Sequence, residues 1–158
     1  MRRPIFITAL VVVLALVFVT SAPAGSLMDR ILKRGELVVG ITGTQPPLNA
    51  TTKDGKIIGL DADIAKEIAI RMGVKIHFET MPFAKLLPAL HADKVDMILS
   101  SMTMTPERNL KVAFIGPYYI SGKGMLTKTQ TIATLQAADS LNDPQFKVAT
   151  LNASTSQA

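Results

Sequence analysis

An α/β fold, with a parallel sheet flanked by helices, is predicted by three features of this sequence. LVVGI at 37–41 is a short continuous apolar run with the content of a strand covered on both faces, and VDMIL at 95–99 reads as a further buried strand. Segments with helical spacing, 60–72 and 83–90, lie between them. VKIHFE at 74–79 alternates apolar and polar residues, which predicts a strand with one wet face. Strands that alternate with helices in this way imply parallel pairing through crossover connections.

The elements follow in chain order. Residues 1–26 have the form of a secretory leader, with Arg2 and Arg3 at the start and Ala22-Pro23-Ala24 before a cleavage point. Its apolar stretch, 5–19, is 15 residues, short of the roughly 20 that a spanning helix needs. A cleaved leader over 1–24 is therefore expected rather than a retained anchor. The 37–41 strand comes next. In the 60–72 helix, Leu60, Ile64, Ile68 and Met72 form one stripe while Lys66, Glu67 and Arg71 face away. Asp61 is its expected N-cap and Gly73 its stop. After the 74–79 strand, Phe83, Leu86, Leu87 and Leu90 give a second helix, in which Pro88 must sit near the first turn or bend the axis. The 95–99 strand follows. Beyond it, 112–115 and 118–127 read as extended, 132–138 as a helix and 146–151 as a strand. Ser154-Thr155-Ser156-Gln157 has the form of a capping box after a strand, where a helix should begin. A chain truncated inside a further domain is the expectation; a frayed tail that only resembles a cap is the alternative.

Taking 24 residues from 158 leaves 134, enough for one domain and its core. The formal charge falls from +5 to +3 once Arg2 and Arg3 are set aside. The remaining cations are scattered and aromatics are few, so nucleic-acid binding is not expected. The absence of cysteine excludes disulfides, thiolate metal sites, a cysteine nucleophile and a lipid-modified cysteine. His77 and His91 lie apart from any cluster of ligating residues, so no metal or cofactor is expected either.

SSMTMTPERN at 100–109 carries the candidate chemistry. In an open parallel sheet, ligands sit beyond the carboxyl ends of the strands, and Ser100 and Ser101 stand at that end of the 95–99 run. Thr103, Thr105 and Arg108 follow. Arginine grips a carboxylate with two parallel N–H bonds, and hydroxyls both accept from an ammonium and donate to a carboxylate. The set suits a small zwitterion, its carboxylate on Arg108 and its ammonium near Ser100 or Ser101. Thr105-Pro106-Glu107 also reads as an ordinary cap, N1 proline and dipole partner. Spacing alone leaves both readings open. The loop GITGTQPPLN at 40–49 is a candidate second wall or a plain surface loop. Asp61 and Asp63, two apart in a first turn, read as cap and dipole partner rather than as a catalytic pair.

GKIIGLDADIAKEIA (55–69), LLPALHADKVDMILSSMTMTPERN (86–109) and VAFIGPYY (112–119) together resemble the periplasmic solute-binding proteins of ABC transporters that carry polar amino acids, solute-binding family 3. The resemblance runs from about residue 37 to 156. It implies a type II periplasmic-binding-protein fold of two hinged lobes, with 25–125 as the first lobe and 126–158 as the crossing and the start of a second, truncated lobe. It implies an amino acid held by Arg108 through its carboxylate, with Ser100, Ser101 and Thr103 around it and Thr155 in the turn that opens the second lobe. Many members stack the ligand under an aromatic residue near positions held here by Gln45 and Leu48, and carry an acid where this chain has Thr42. Thr42 and Gln45 are thus the remaining candidate ligand contacts. A monomeric periplasmic receptor serving a membrane permease is implied, without catalytic residues. The same fold also hosts dehydratases, fusions to cell-wall lytic domains and sensor lobes.

Overall fold

The computed structural model describes residues 26–128, 143–144 and 146–157. The leader at 1–24 and the helix expected at 132–138 lie outside the described residues. Helix α1, Leu27–Arg34, had no counterpart in the sequence reading, which assigned Ser26 to the leader. Ser26 instead closes a capping box: its Oγ accepts from the Asp29 N–H at 3.1 Å and its own N–H donates to the Asp29 carboxylate at 3.0 Å. Gly35, left-handed at φ 70°, ends the helix.

Strand β1, Glu36–Ile41, lies at the centre of a three-stranded parallel sheet. Its neighbours are β5, Lys75–Thr80, and β6, Met97–Ile98. The apolar run of β1 is buried as expected, with Leu37, Val39 and Ile41 inside. Strand β5 is an edge, and Lys75, His77 and Glu79 make its wet face. Strand β6 is shorter than the 95–99 run, yet Asp96 N–H donates to Val38 O (2.8 Å) and Leu99 N–H to Gly40 O (3.2 Å), so the ladder extends past its ends.

Helix α2, Leu60–Met72, connects towards β5 and stops at Gly73. Its buried line is Asp61, Ala62, Ala65 and Ala69; Ile64, Ile68 and Met72 flank that line half-buried, and Leu60 is exposed. The expected stripe of large residues is therefore displaced. Small side chains occupy the closest approach to the sheet, and branched ones fill its margins. The expected N-cap is also displaced: Gly59 holds that position, and Asp61 is the second residue of the helix, in its first turn and fully buried. Helix α3, Phe83–His91, covers the opposite face through Phe83, Leu86 and Ala89. Pro88 lies in its second turn, on the exposed side, rather than in the first. Gly40 is what lets this helix close on β1, since a Cβ there would lie 3.2 Å from Leu86 and 3.3 Å from Val95. One core cluster joins Ile31, Leu37, Val39, Ala65, Ala69 and Leu99; a second joins Ile41, Ile57 and Ala62.

A small antiparallel sheet was not foreseen. Strands β2 (Thr44–Gln45), β3 (Asn49–Thr51) and β4 (Ile57–Ile58) pair in that order between β1 and α2, with a cis Pro46–Pro47 peptide in the β2–β3 turn. The chain also departs from expectation after α4, Pro106–Asn109. Residues 112–115, 118–127 and 146–151 form no strand, because their backbones find no ladder among the described residues. Ile115, Ile120, Leu126 and Val148 are exposed. No helix begins at 154–157: Ser154 Oγ accepts from the Ser156 N–H (3.2 Å), and Gln157 Oε1 accepts from the Ala153 N–H (2.6 Å) rather than from Ser154.

Candidate functional site

The carboxyl ends of β1 and β6 open onto two loops, 42–49 and 99–105. The N-terminus of α2, the segment around Tyr118 and the turn at 151–157 meet them there. The sequence-predicted residues fall into two groups.

The first group is a polar network beneath the loops. Ser100 is buried, and its Oγ accepts from the Thr42 N–H at 3.0 Å. The Ser100 hydroxyl lies within donating distance of Thr42 Oγ1 (3.1 Å) and Gln45 Oε1 (3.2 Å). The Thr42 hydroxyl lies 2.9 Å from Gln45 Oε1 and 2.8 Å from Asn49 Oδ1. Every donor in reach of Gln45 therefore faces its Oε1, which directs the Gln45 amide –NH2 away from the network. Asn49, fully buried, accepts from the N–H groups of Thr44 (3.1 Å) and Gln45 (3.3 Å) and donates from Nδ2 to Asp61 Oδ2 at 2.6 Å. It fastens the loop to α2.

Asp61 gathers the rest. Ser101 Oγ donates to Asp61 Oδ2 at 3.1 Å, and the Tyr118 hydroxyl donates to Asp61 Oδ1 at 2.8 Å. The same phenol oxygen accepts the Ser101 N–H at 3.1 Å. Ser101 has φ 52°, in the left-handed region. Burial, and secondarily the bond to Asp61, push the Tyr118 phenol far above its ordinary range. The carboxylate of Asp61 has no cationic partner among the described residues; hydrogen bonds from Asn49, Ser101 and Tyr118 compensate its burial instead. The earlier assignment of Asp61 as an N-cap is thus corrected, while exposed Asp63 is the first-turn acid expected, paired with Lys66 at 3.2 Å.

The second group centres on Arg108. Thr105 caps α4, accepting from the Arg108 N–H at 3.3 Å, with Pro106 at the first helical position and Glu107 in the first turn, as the local pattern predicts. The guanidinium carbon lies 5.7 Å from the Phe83 ring centroid, a cation–π distance. Its Nη1 donates to the Thr103 carbonyl at 2.8 Å and its Nη2 to the Ala153 carbonyl at 2.9 Å. Thr103 thus enters through its backbone, its side chain exposed. Thr155 is half-buried in the same turn and accepts from Lys123 Nζ through its carbonyl. Among the described residues, no hydrogen bond joins the two groups; the backbone from Ser101 to Thr103 does. Asn49, Tyr118 and Phe83 are participants that sequence reasoning missed. Phe83 read as ordinary core, and the other two carried no local signal.

Residues 37–151 match the family model for bacterial extracellular solute-binding proteins, family 3. A probable amino-acid ABC transporter-binding protein of Haemophilus influenzae is 33% identical over 129 residues, covering 82% of this chain and 50% of that protein. The L-cystine-binding protein TcyJ of Escherichia coli is 31% identical over 122 residues, 77% of this chain and 46% of its own length. The chain thus spans about half the length of these curated relatives. Among solved structures, an ancestral amino acid-binding protein, a precursor of cyclohexadienyl dehydratase, superposes with a TM-score of 0.79 at 38% identity, covering 84% of this chain and 58% of that one. The arginine-bound form of domain 1 of the arginine-binding protein from T. maritima, carrying a Phe57Trp substitution, gives 0.58 at 43% identity, covering 61% of this chain and 75% of that one.

Proposed function

Because this chain belongs to the bacterial extracellular solute-binding proteins of family 3, we propose that it captures a free polar amino acid outside the cytoplasmic membrane and presents it to an ABC transporter permease. Residues 1–24 act as the export leader, 25–125 as the first lobe, and 126–158 as the crossing and the start of a second lobe. The observation that carries the reading is Arg108, braced on the Thr103 carbonyl and against Phe83 where the parallel strands end. Its remaining N–H groups grip the ligand carboxylate. Ser101 and the loop through Thr103 meet the ammonium. Gln45 offers its amide –NH2 to the ligand side chain, held in that pose by Thr42 and Ser100, whose hydroxyls are spent beneath it. Thr155 closes over the carboxylate when the lobes come together, and the ligand favours the closed form by its differential affinity. An arginine-bound single domain in a relative supports a first lobe that holds ligand by itself.

Calorimetric titration with L-arginine, L-histidine and L-cystine tests this, beside Arg108→Ala. Binding that survives that substitution unchanged removes Arg108 from its role. A second reading, an enzyme of dehydratase type, is favoured by the likeness to the precursor protein and to an ancestral cyclohexadienyl dehydratase. It requires a proton donor or acceptor facing the ligand, whereas Asp61 and Tyr118 are engaged with each other and with Ser101.

A further inference from the structure

One carboxylate reaches a single residue by two routes. Asp61 Oδ2 accepts from Ser101 Oγ directly at 3.1 Å. Asp61 Oδ1 accepts from the Tyr118 hydroxyl at 2.8 Å, and that hydroxyl accepts from the Ser101 N–H at 3.1 Å. The three bonds close a ring. Each hydroxyl uses its one proton towards Asp61, so the directions are mutually consistent. The residue enclosed departs from ordinary backbone, at φ 52° without being glycine, a conformation it shares with Asp93 and Ala153 among the described residues. Such a conformation persists only where its surroundings impose it.

We propose that Asp61 is a positioning residue for the ligand site, holding Ser101 left-handed through its own carboxylate and the Tyr118 phenol, and so setting the course of the backbone into Thr103. Asp61 itself does not touch the ligand. The proposal rests on the amino-acid-binding reading only for its consequence in affinity; the conformational claim stands apart from it. Ser101 at φ 52° positions the Thr103 carbonyl that braces Arg108, so loosening the ring loosens both ends of the site.

The test is a double-mutant cycle on the whole chain, read by calorimetry with L-arginine, L-histidine and L-cystine. Asp61→Asn weakens binding about tenfold when Ser101 is present, the scale of one lost charge-assisted restraint. In a Ser101→Gly background the same change weakens binding by less than about twofold, because glycine takes positive φ unaided. Equal weakening in both backgrounds, or none in either, overturns the proposal. If Asp61→Asn does not fold, Tyr118→Phe cuts one arm of the ring and is held to the same comparison. A second readout needs no ligand: the Cα and Cβ chemical shifts of Ser101 move away from left-handed values in Asp61→Asn. Unmoved shifts refute the positioning role, whereas moved shifts without binding by the unsubstituted chain refute the amino-acid reading instead.

Discussion

Gly59→Ala is the substitution whose cost the structure fixes most closely. Gly59 precedes α2 with φ 110° and ψ 176°, a region open essentially to glycine alone. A Cβ placed there lies 2.5 Å from the Leu48 carbonyl oxygen and 2.8 Å from the Pro47 carbonyl oxygen. These are backbone atoms and cannot swing aside. Backbone strain of about 1–3 kcal/mol adds to an overpacking cost of about 1–3 kcal/mol, so a loss of about 2–6 kcal/mol is expected. Gly73→Ala is the control. It sits at φ 68° with nothing within 4 Å of its Cβ, so left-handed strain alone, about 1–2 kcal/mol, applies. Urea unfolding followed by circular dichroism measures both. The Asp61 N–H donates to the same Leu48 carbonyl at 2.9 Å, so ligand affinity falls with stability in the Gly59 variant. A Gly59→Ala protein no less stable than Gly73→Ala refutes the account of that close approach.

Further outcomes follow from the core and the charges. Leu86→Ala, at a fully buried position on α3, costs about 3 kcal/mol in the same unfolding assay. Asp96→Ala leaves the Val38 N–H without the acceptor it now has at 2.8 Å and releases Arg34, costing about 2 kcal/mol. The hydrogen bond from Arg30 holds the exposed Asp93 carboxyl below its ordinary 3.8. Its stabilisation is therefore present above that value and fades as pH falls through the lower folded one; the urea midpoint of Asp93→Asn changes less between pH 5 and 2.5 than that of the unsubstituted protein, most clearly at low salt. Tyr118 has the opposite sign. Its phenol is raised, so its contribution is whole below about pH 10 and is lost as pH climbs towards the folded value. An alkaline absorbance titration shows a late-ionising phenol that Tyr118→Phe abolishes.

What could be read from residues alone had local causes. The continuous apolar run of β1, the stop at Gly73 and the Thr105-Pro106-Glu107 cap each depend on neighbours a few positions away, and each is found in place. The position of Arg108 in the chain's course, directly after that cap, was legible for the same reason. Asp61 was not. Its partners stand 12, 40 and 57 positions off, at Asn49, Ser101 and Tyr118, and no first-turn statistic contains them. The two-residue strands β2 and β4 are too short to show a period. Ranking by hydrophobicity favoured Ile64 and Ile68 for the inner face of α2, whereas close approach to the sheet selects Ala62, Ala65 and Ala69. The apolar residues of 112–127 pointed to strands, but a strand also needs a neighbour to pair with.

Helix α1 is tied down by Arg30 on Asp93 and Arg34 on Asp96, contacts 63 and 62 positions apart. A growing polypeptide cannot close either ion pair until residues 93 and 96 have emerged. At roughly 5–20 residues per second of synthesis, the wait is about 3–12 seconds. Through that interval both arginines stay unclasped, so the last fastening of α1 comes late in the assembly of the layer it covers.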